Sequence, residues 1–309
     1  MAKIPVILTF DKRIILAGAV AIKSLIDNAK ETTEYDIYVF HPDIDNKTIK
    51  EYQKLVENTR HNLTFEYISK ERFAGAPINK GGSWTEIVYY RLLAPELLPQ
   101  YDKVIYFDTD AVILGDLEEV YNDDLEDYDC SAVAMEINND KMISHRYFPE
   151  NKHNLTFISS FIVFNTKKMR ENNFVKRMYE NIEKFKTRLK FFDVDLLNLT
   201  CEKIKELPYR YGVFQSIYYH DDFTSGYEYS FLKHVYSDET LQKEKENTIM
   251  LHFAGKPGKP WRFKKPPKEF LKYQNLIPKK LIKYTFRDFR KRLFSKVWNE
   301  NSNNYFNIQ

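Results

Sequence analysis

The chain has 309 residues, 43% hydrophobic and 16% aromatic, enough to bury a large core and too apolar for a disordered protein. Its nine glycines argue against a glycine-rich loop as the main contact with nucleotide phosphates, and its two cysteines form no metal-binding pattern. The net charge is only +3, no apolar run is long enough to span a bilayer, and residues 1–5 lack the features of a signal peptide. We therefore expect a cytoplasmic protein.

The first half of the chain alternates between apolar runs typical of strands and the helical spacing of apolar residues. In chain order these patterns predict strand, helix, strand, helix, strand, helix and strand at residues 4–10, 15–28, 36–40, 46–58, 63–68, 84–98 and 104–107. In the second half they predict strands at 131–135, 157–164 and 249–253, and helices at 174–189 and 193–203. The alternation indicates an α/β fold with a mostly parallel sheet and helices on both faces.

Basic residues gather at the carboxyl end of the chain. Residues 256–296 hold fifteen lysines and arginines against two acidic residues, so the rest of the chain is net acidic. We therefore divide the chain into a body, residues 1–261, and a basic carboxyl-terminal extension, residues 262–309.

The extension contains apolar residues at the spacing of one amphipathic helix, which we predict from Lys279 to Trp298. Its apolar face comprises Ile282, Phe286, Phe289, Leu293 and Val297. Such a helix either packs on the body or lies on an anionic membrane surface. Five large apolar residues beside eight cations favour the membrane-bound helix. We therefore expect the protein to be peripheral, on the inner face of the cytoplasmic membrane. The segment contains no recognised nucleic-acid-binding module, so we expect no nucleic acid partner.

Two carboxylates, Asp108 and Asp110, follow the predicted strand at 104–107 directly. Open α/β sheets bind ligands at the carboxyl ends of their strands, and paired carboxylates there suit a divalent cation bound to a phosphorylated substrate. His252 closes a strand far downstream and is suited to be a third ligand. Taken singly, the acidic pair is explained by a solvated turn and His252 by a structural role. The joint occurrence of the acidic pair and the histidine favours a metal site.

The sequence resembles glycosyltransferase family 8, and six segments carry the resemblance in the family's order. They lie between residues 4 and 261, at Leu8–Asp11, Ala21–Leu25, Tyr89–Pro99, Val104–Asp110, Asp193–Asn198 and His252–Trp261. The resemblance implies an α/β Rossmann-like domain of the GT-A type, a nucleotide-sugar-binding fold with a mixed, mostly parallel sheet. It also implies a retaining hexosyltransferase that moves glucose or galactose from a UDP-sugar to a glycan or glycolipid acceptor, in lipopolysaccharide or other surface polysaccharide synthesis.

The same resemblance assigns roles to individual residues. It implies Mn²⁺ or Mg²⁺ held by Asp108, Asp110 and His252, with Arg91 and Asp193 in the catalytic centre. The donor-binding residues that it implies are Thr9, Asp11, Arg91, Asp108, Thr109, Asp110, Asp193, Gly255 and Lys259. The departing phosphate oxygen can then take the acceptor's proton on the same face, which retains the anomeric configuration. A double displacement with Asp193 as nucleophile is the less favoured route.

The sequence departs from the family pattern at Ile14, Ile158 and Val194. Because of these positions, the identity of the transferred sugar stays open. They also motivate a non-catalytic alternative, a protein that binds a nucleotide-sugar without turnover. Residues 108–112 also match the nucleophile motif of haloacid-dehalogenase-like phosphatases, with Asp108 as nucleophile. That family places the motif after its first strand, whereas three predicted strands precede it here. The aromatic-rich stretch at 209–245 is our predicted acceptor side.

Overall fold

The computed structural model describes residues 3–79, 84–141 and 146–295. Its strands are β1 (Lys3–Thr9), β2 (Glu34–His41), β3 (Asn62–Tyr67), β4 (Val104–Phe107), β5 (Ala111–Ile113), β6 (Cys130–Ile137), β7 (Leu155–Phe164), β8 (Ile204–Leu207), β9 (Val213–Phe214) and β10 (Met250–His252). Its α-helices are α1 (Ile15–Asp27), α2 (Asn46–Gln53), α3 (Ala94–Leu97), α4 (Glu118–Asn122), α5 (Thr166–Glu171), α6 (Phe174–Phe185), α7 (Asp193–Thr200), α8 (Gln215–Tyr218), α9 (Tyr229–Leu232), α10 (Asp238–Glu246), α11 (Lys268–Gln274) and α12 (Phe286–Phe294).

The strands form one large and one small sheet. The large sheet has the strand order β3-β2-β1-β4-β7-β6-β8, and the small sheet has the order β5-β10-β9. In the large sheet β7 runs antiparallel to β4 and β6, whereas the other neighbours are parallel. The predicted α/β fold with a mixed, mostly parallel sheet is therefore confirmed.

The small sheet explains how two distant segments meet. Strand β5 begins directly after Asp110, and its antiparallel register with β10 places Ala111 opposite His252. The backbone N–H of Phe253 donates to the carbonyl of Asp110 at 2.9 Å. Because paired strands lie about 5 Å apart, this register places His252 beside the acidic pair.

Helix α1 packs against strand β5. It is almost entirely apolar and buried, and the hydroxyl of its Ser24 accepts the backbone N–H of Ile113 at 2.9 Å. Gly18 faces a crowded surface, where a Cβ would lie 2.5 Å from the Phe10 ring. Glycine therefore lets α1 pack closely enough on the sheet to hold β5 in place.

The helix predicted at residues 84–98 is wrong over most of its length. Residues Glu86–Leu93 form a 3₁₀ segment, and only Ala94–Leu97 is α-helical. Pro95 lies in the first turn of this short helix. Because proline lacks an N–H and is tolerated in a first turn, it starts a helix here instead of continuing one.

The single helix predicted from Lys279 to Trp298 is also wrong. A 3₁₀ turn covers Lys279–Leu281, and α12 starts anew after Thr285, whose hydroxyl accepts the N–H of Asp288 at 3.1 Å. Ile282 packs against the core and does not share the apolar face of α12. Residues 296–309, including Val297 and Trp298, lie outside the described residues.

The extension packs on the body beyond residue 261. Phe270, Tyr273 and Leu281 are all fully or almost fully buried. The side-chain amide of Asn28 donates to the Tyr273 hydroxyl at 2.7 Å. The core therefore continues as far as Leu281. Within the described ranges, the structure has no helix long and apolar enough to cross a membrane.

Candidate active site

A cleft of about 480 Å³ lies at the carboxyl ends of strands β1, β4 and β10. It is lined by all ten residues that the sequence implicated, namely Thr9, Asp11, Arg91, Asp108, Thr109, Asp110, Asp193, His252, Gly255 and Lys259. The cleft thus lies at the carboxyl edge of the parallel strands, the edge at which open α/β sheets bind ligands.

Asp108, Asp110 and His252 each offer one ligand atom, and these atoms lie within 4.8 Å of one another. Nε2 of His252 lies 3.4 Å from Oδ2 of Asp108 and 3.4 Å from Oδ1 of Asp110. The Phe214 ring stacks on the imidazole with centroids 5.6 Å apart. Burial disfavours the charged imidazole, but the two carboxylates outweigh it and raise the pKa of His252 to about 9. A cation therefore has to displace this proton before His252 can bind it.

Arg91 lies between two carboxylates. Its Nη1 donates to Oδ1 of Asp108 at 2.7 Å and to the carbonyl of Ser159 at 2.9 Å, and lies 3.2 Å from Oδ2 of Asp193. Its guanidinium stacks 4.2 Å from the centroid of the Tyr106 ring, whose hydroxyl donates to Asp108 at 2.6 Å. Burial opposes ionisation of Asp108, but Arg91 and His252 together outweigh it and hold the pKa of that carboxyl below its usual range.

Asp193 is the first residue of α7 and is 7% exposed. The residue before it, Phe192, has a left-handed φ of 45°, a strained conformation for a side chain of this size. The hydroxyl of Ser159 donates to Oδ2 of Asp193 at 2.5 Å. Burial raises the pKa of Asp193 to about 6 even though Arg91 and Ser159 oppose the shift. At neutral pH this carboxylate is ionised and suited to accept hydrogen bonds from sugar hydroxyls.

Lys259 lies on the other side of the acidic pair. Its ammonium forms an ion pair with Asp110 and donates to the carbonyl of Phe253 at 3.1 Å. Burial opposes ionisation of Asp110, but Lys259 and His252 hold its pKa well below the usual range. The cleft therefore carries a fixed positive charge next to the three candidate ligands.

The loop between His252 and Lys259 is shaped by glycine and anchored by one glutamine. Gly255 has a φ of +71°, a left-handed conformation that favours glycine. The side-chain amide of Gln215 donates to the carbonyls of Ala254 at 2.9 Å and Gly258 at 3.3 Å. This loop exposes backbone close to the cleft without a side chain at residue 255.

The end of the cleft near β1 is also polar. Asp11 accepts the backbone N–H of Arg13 at 2.8 Å and its Nε at 2.6 Å. The guanidinium of Arg13 also donates to the hydroxyl of Thr85 at 3.3 Å. The Thr109 hydroxyl donates to the carbonyl of Thr9 at 3.2 Å, which ties the end of β1 to the acidic pair.

Comparison with known proteins decides the family. The sequence model described as Glycosyl transferase family 8 matches residues 5–265, most of the chain. The chain belongs to glycosyl transferase family 8. It is therefore a glycosyltransferase by family, and the predicted membership is confirmed.

Relatives of this family 8 chain are distant in sequence. The lipopolysaccharide glucosyltransferase WaaO of Escherichia coli (strain K12) is 23% identical over 265 residues, which cover 81% of this chain and 70% of WaaO. The bifunctional glycosyltransferase WbbM is 22% identical with a TM-score of 0.72, over 94% of this chain and 52% of WbbM, so the chain spans about half of that protein. The galactosyltransferase LgtC, solved with donor and acceptor sugar analogs, is 19% identical with a TM-score of 0.71, over 93% of this chain and 100% of LgtC. The GT-A fold is thereby confirmed.

The structure also locates the positions at which this chain departs from the family pattern. Ile14, Ile158 and Val194 all line the cleft. In the aromatic-rich stretch at 209–245, most rings are buried, and Phe214, Tyr227 and Phe231 border the cleft. The acceptor side stays a prediction, and these three rings are the aromatic part of the stretch that borders the cleft.

Sequence reasoning missed the roles of Tyr106, Gln215 and Glu228. Tyr106 is visible in the strand before Asp108 as the residue two positions earlier, whose side chain points to the same face. No sequence pattern marks Gln215 or Glu228 as part of the site, because their contacts with the loop after His252 depend on tertiary packing.

Proposed function

We propose that this chain is a metal-dependent, retaining hexosyltransferase that moves glucose or galactose from a UDP-sugar to an acceptor hydroxyl. The observation that supports this most directly is the convergence of Asp108, Asp110 and His252 within 4.8 Å. Lys259 adds a positive charge beside them. Together these groups suit a nucleoside diphosphate bound with a divalent cation.

The three ligands fit such a cation by charge and by chemistry. Asp108 and Asp110 supply two negative oxygen ligands, and His252 supplies a nitrogen ligand, a set that suits Mn²⁺ and is acceptable to Mg²⁺. When bound, the cation offsets the negative charge that develops on the departing diphosphate.

The chain's own residues complete the transfer. The ammonium of Lys259 offers a positive charge to the phosphate charge that develops, and the left-handed φ of Gly255 shapes the loop beside it. Arg91 holds Asp193, which accepts hydrogen bonds from the donor sugar's hydroxyls. The departing phosphate oxygen takes the acceptor's proton on the face it leaves, so the anomeric configuration is retained. Val194 cannot act as a nucleophile, and Asp193 is the carboxylate available for the double-displacement alternative.

Release of UDP from a panel of UDP-sugars, with and without MnCl₂, tests the reaction. We expect Mn²⁺-dependent release from UDP-glucose or UDP-galactose, and a loss of at least about 100-fold in Asp110→Asn, since one oxygen ligand to the cation disappears. Asp127→Asn, on an exposed carboxylate, is the matched control. Metal-dependent UDP binding without any UDP release would support the non-catalytic alternative instead.

We propose further that the acceptor is a glycolipid reached from an anionic membrane surface, as the relative named a lipopolysaccharide glucosyltransferase suggests. Helix α12 exposes Phe286, Phe289, Leu293 and Phe294, each more than half exposed. Arg287, at the start of the same helix, lines the cleft. Basic residues near anionic lipid contribute roughly 1 kcal/mol each, so α12 is suited to hold the cleft at the inner face of the cytoplasmic membrane.

Vesicle co-sedimentation tests this membrane contact. We expect the protein to bind vesicles that contain phosphatidylglycerol, to release them at high salt, and to bind phosphatidylcholine vesicles weakly. The double variant Phe289→Ser/Leu293→Ser removes exposed apolar area from α12 and should bind at least several-fold less. Leu276→Ser removes an equally exposed leucine outside α12 and is the control. Equal binding by all three proteins would refute the membrane role of α12.

A further inference from the structure

Glu228 is a buried carboxylate in the wall of the cleft that the proposed donor chemistry does not use. It is 4% exposed and precedes α9. Its Oε2 accepts the hydroxyl of Ser216 at 2.6 Å. Among the residues that the structure describes, no lysine or arginine lies within ion-pairing distance of it. Burial raises the pKa of Glu228 above its usual range. Burying a carboxylate without an ion pair is costly, which favours a functional reason for its position.

The second carboxylate oxygen lies beside the loop that follows His252. A Cβ placed on Gly255 would be 2.2 Å from Oε1 of Glu228, so this oxygen occupies the space that a side chain would need. The loop itself is anchored by the amide of Gln215, which donates to its carbonyls. The loop therefore does not depend on Glu228 for these hydrogen bonds, and Glu228 lines the cleft beside Gly255.

Aromatic rings flank this carboxylate. Tyr227 is 56% exposed and lies 5.8 Å, between ring centroids, from Phe231. Phe191 also lines the cleft. Sugar rings present C–H faces that pack on aromatic rings and hydroxyls that donate to carboxylates. A carboxylate beside an exposed tyrosine therefore has the chemistry of a sugar subsite.

We propose that Glu228 and Tyr227 form the subsite for the terminal sugar of the acceptor, in which Oε1 of Glu228 accepts hydrogen bonds from the sugar's hydroxyls. This inference rests on the proposed function, since it assigns the second substrate of the same reaction. The subsite selects a neutral sugar. A terminal uronic acid would bring a second carboxylate against Oε1 of Glu228, and like charges at short distance disfavour binding.

The test compares acceptor-dependent transfer with acceptor-independent hydrolysis of UDP-hexose. The probes are octyl glucoside and octyl galactoside as neutral acceptors, and octyl glucuronide as the acidic one. Glu228→Gln keeps the shape and still accepts the hydrogen bond from Ser216, but presents an N–H donor to the cleft. We expect the acceptor kcat/KM of this variant to fall at least about 10-fold more than its rate of UDP-hexose hydrolysis. We expect octyl glucuronide to be a poorer acceptor than octyl glucoside for the native chain.

Two comparison variants separate a role in the subsite from a role in the loop. Gln215→Glu removes the donor that anchors the loop, so UDP affinity, hydrolysis and transfer should fall together. Glu239→Gln makes the same side-chain change as Glu228→Gln on the exposed face of α10 and should match the native chain.

Three results would overturn the subsite. They are an equal loss of transfer and hydrolysis in Glu228→Gln, octyl glucuronide used as well as octyl glucoside, and no stimulation of UDP release by any neutral glycoside. Failure of the proposed function itself looks different, because the native chain would then release no UDP from any UDP-hexose, with or without Mn²⁺ and with or without a glycoside.

Discussion

At the scale of single residues, Asp193 shows a conflict between stability and function. Its carboxylate is buried, and burial raises its pKa to about 6 despite the contacts from Arg91 and Ser159. In an unfolded chain the pKa of aspartate is about 3.9. The folded state therefore binds this proton more tightly than the unfolded chain. The free energy of unfolding therefore falls as pH rises between these two values. Above about pH 6 the buried carboxylate is ionised, and it destabilises the fold to its full extent.

We predict that Asp193→Asn abolishes transfer but raises the melting temperature at pH 7.5. The free energy of unfolding should rise by about 1–3 kcal/mol at most, because the substitution removes a buried charge. Arg91 retains its ion pair with Asp108 in the variant. The gain should shrink toward pH 4, where the carboxyl of the native protein is protonated. Thermal unfolding of the two proteins across this pH range gives the measurement.

Asp110→Asn is the matched control for that prediction. Although burial opposes it, Lys259 and His252 hold the pKa of Asp110 well below its usual range, so this carboxylate stabilises the fold at neutral pH. The same substitution at residue 110 should lower the melting temperature at pH 7.5. A similar change at both positions would contradict the account of Asp193.

At the scale of elements, sequence patterns predicted seven of the ten strands in the described part of the chain, missing β5, β8 and β9, and they located the helices less well. Strand β4 has the bounds predicted for it, because four buried apolar residues in a row admit few alternatives. The helix predicted at 279–298 has apolar spacing throughout, yet the chain turns at Ile282 because this side chain packs on the core. Helical spacing does not reveal such a tertiary contact. The signal for the new start was Thr285 with Asp288 three residues later, a helix-capping pattern that the apolar spacing obscured.

We predict that the extension contributes to the stability of the whole fold as far as Leu281. This leucine is fully buried, so Leu281→Ala should lower the free energy of unfolding by about 2–4 kcal/mol. Leu276→Ala, at a side chain 53% exposed, should change it by less than about 1 kcal/mol. Chemical denaturation measures both. Equal small effects would mean that the extension folds apart from the body.

At the scale of the whole molecule, the candidate metal and donor residues were predictable, whereas other residues that line the cleft were not. The order of six family segments along the chain is enough to predict that Asp108, Asp110 and His252 share one site. The pairing of β5 with β10 is the physical reason that they meet. Glu228 and Arg287 reach the same cleft through loops and the extension, whose paths follow from packing and leave no periodic signal in the sequence.

The central claim is that Asp108, Asp110 and His252 hold a divalent cation together with UDP. Calorimetric titration of UDP with and without MnCl₂ tests it most directly, for the native chain and for Asp110→Asn. We predict that Mn²⁺ raises the UDP affinity of the native chain at least about 10-fold, and that the variant loses this gain while weak metal-independent binding through Lys259 persists. Identical UDP affinities with and without Mn²⁺ in the native chain, or an undiminished gain in the variant, would contradict the account.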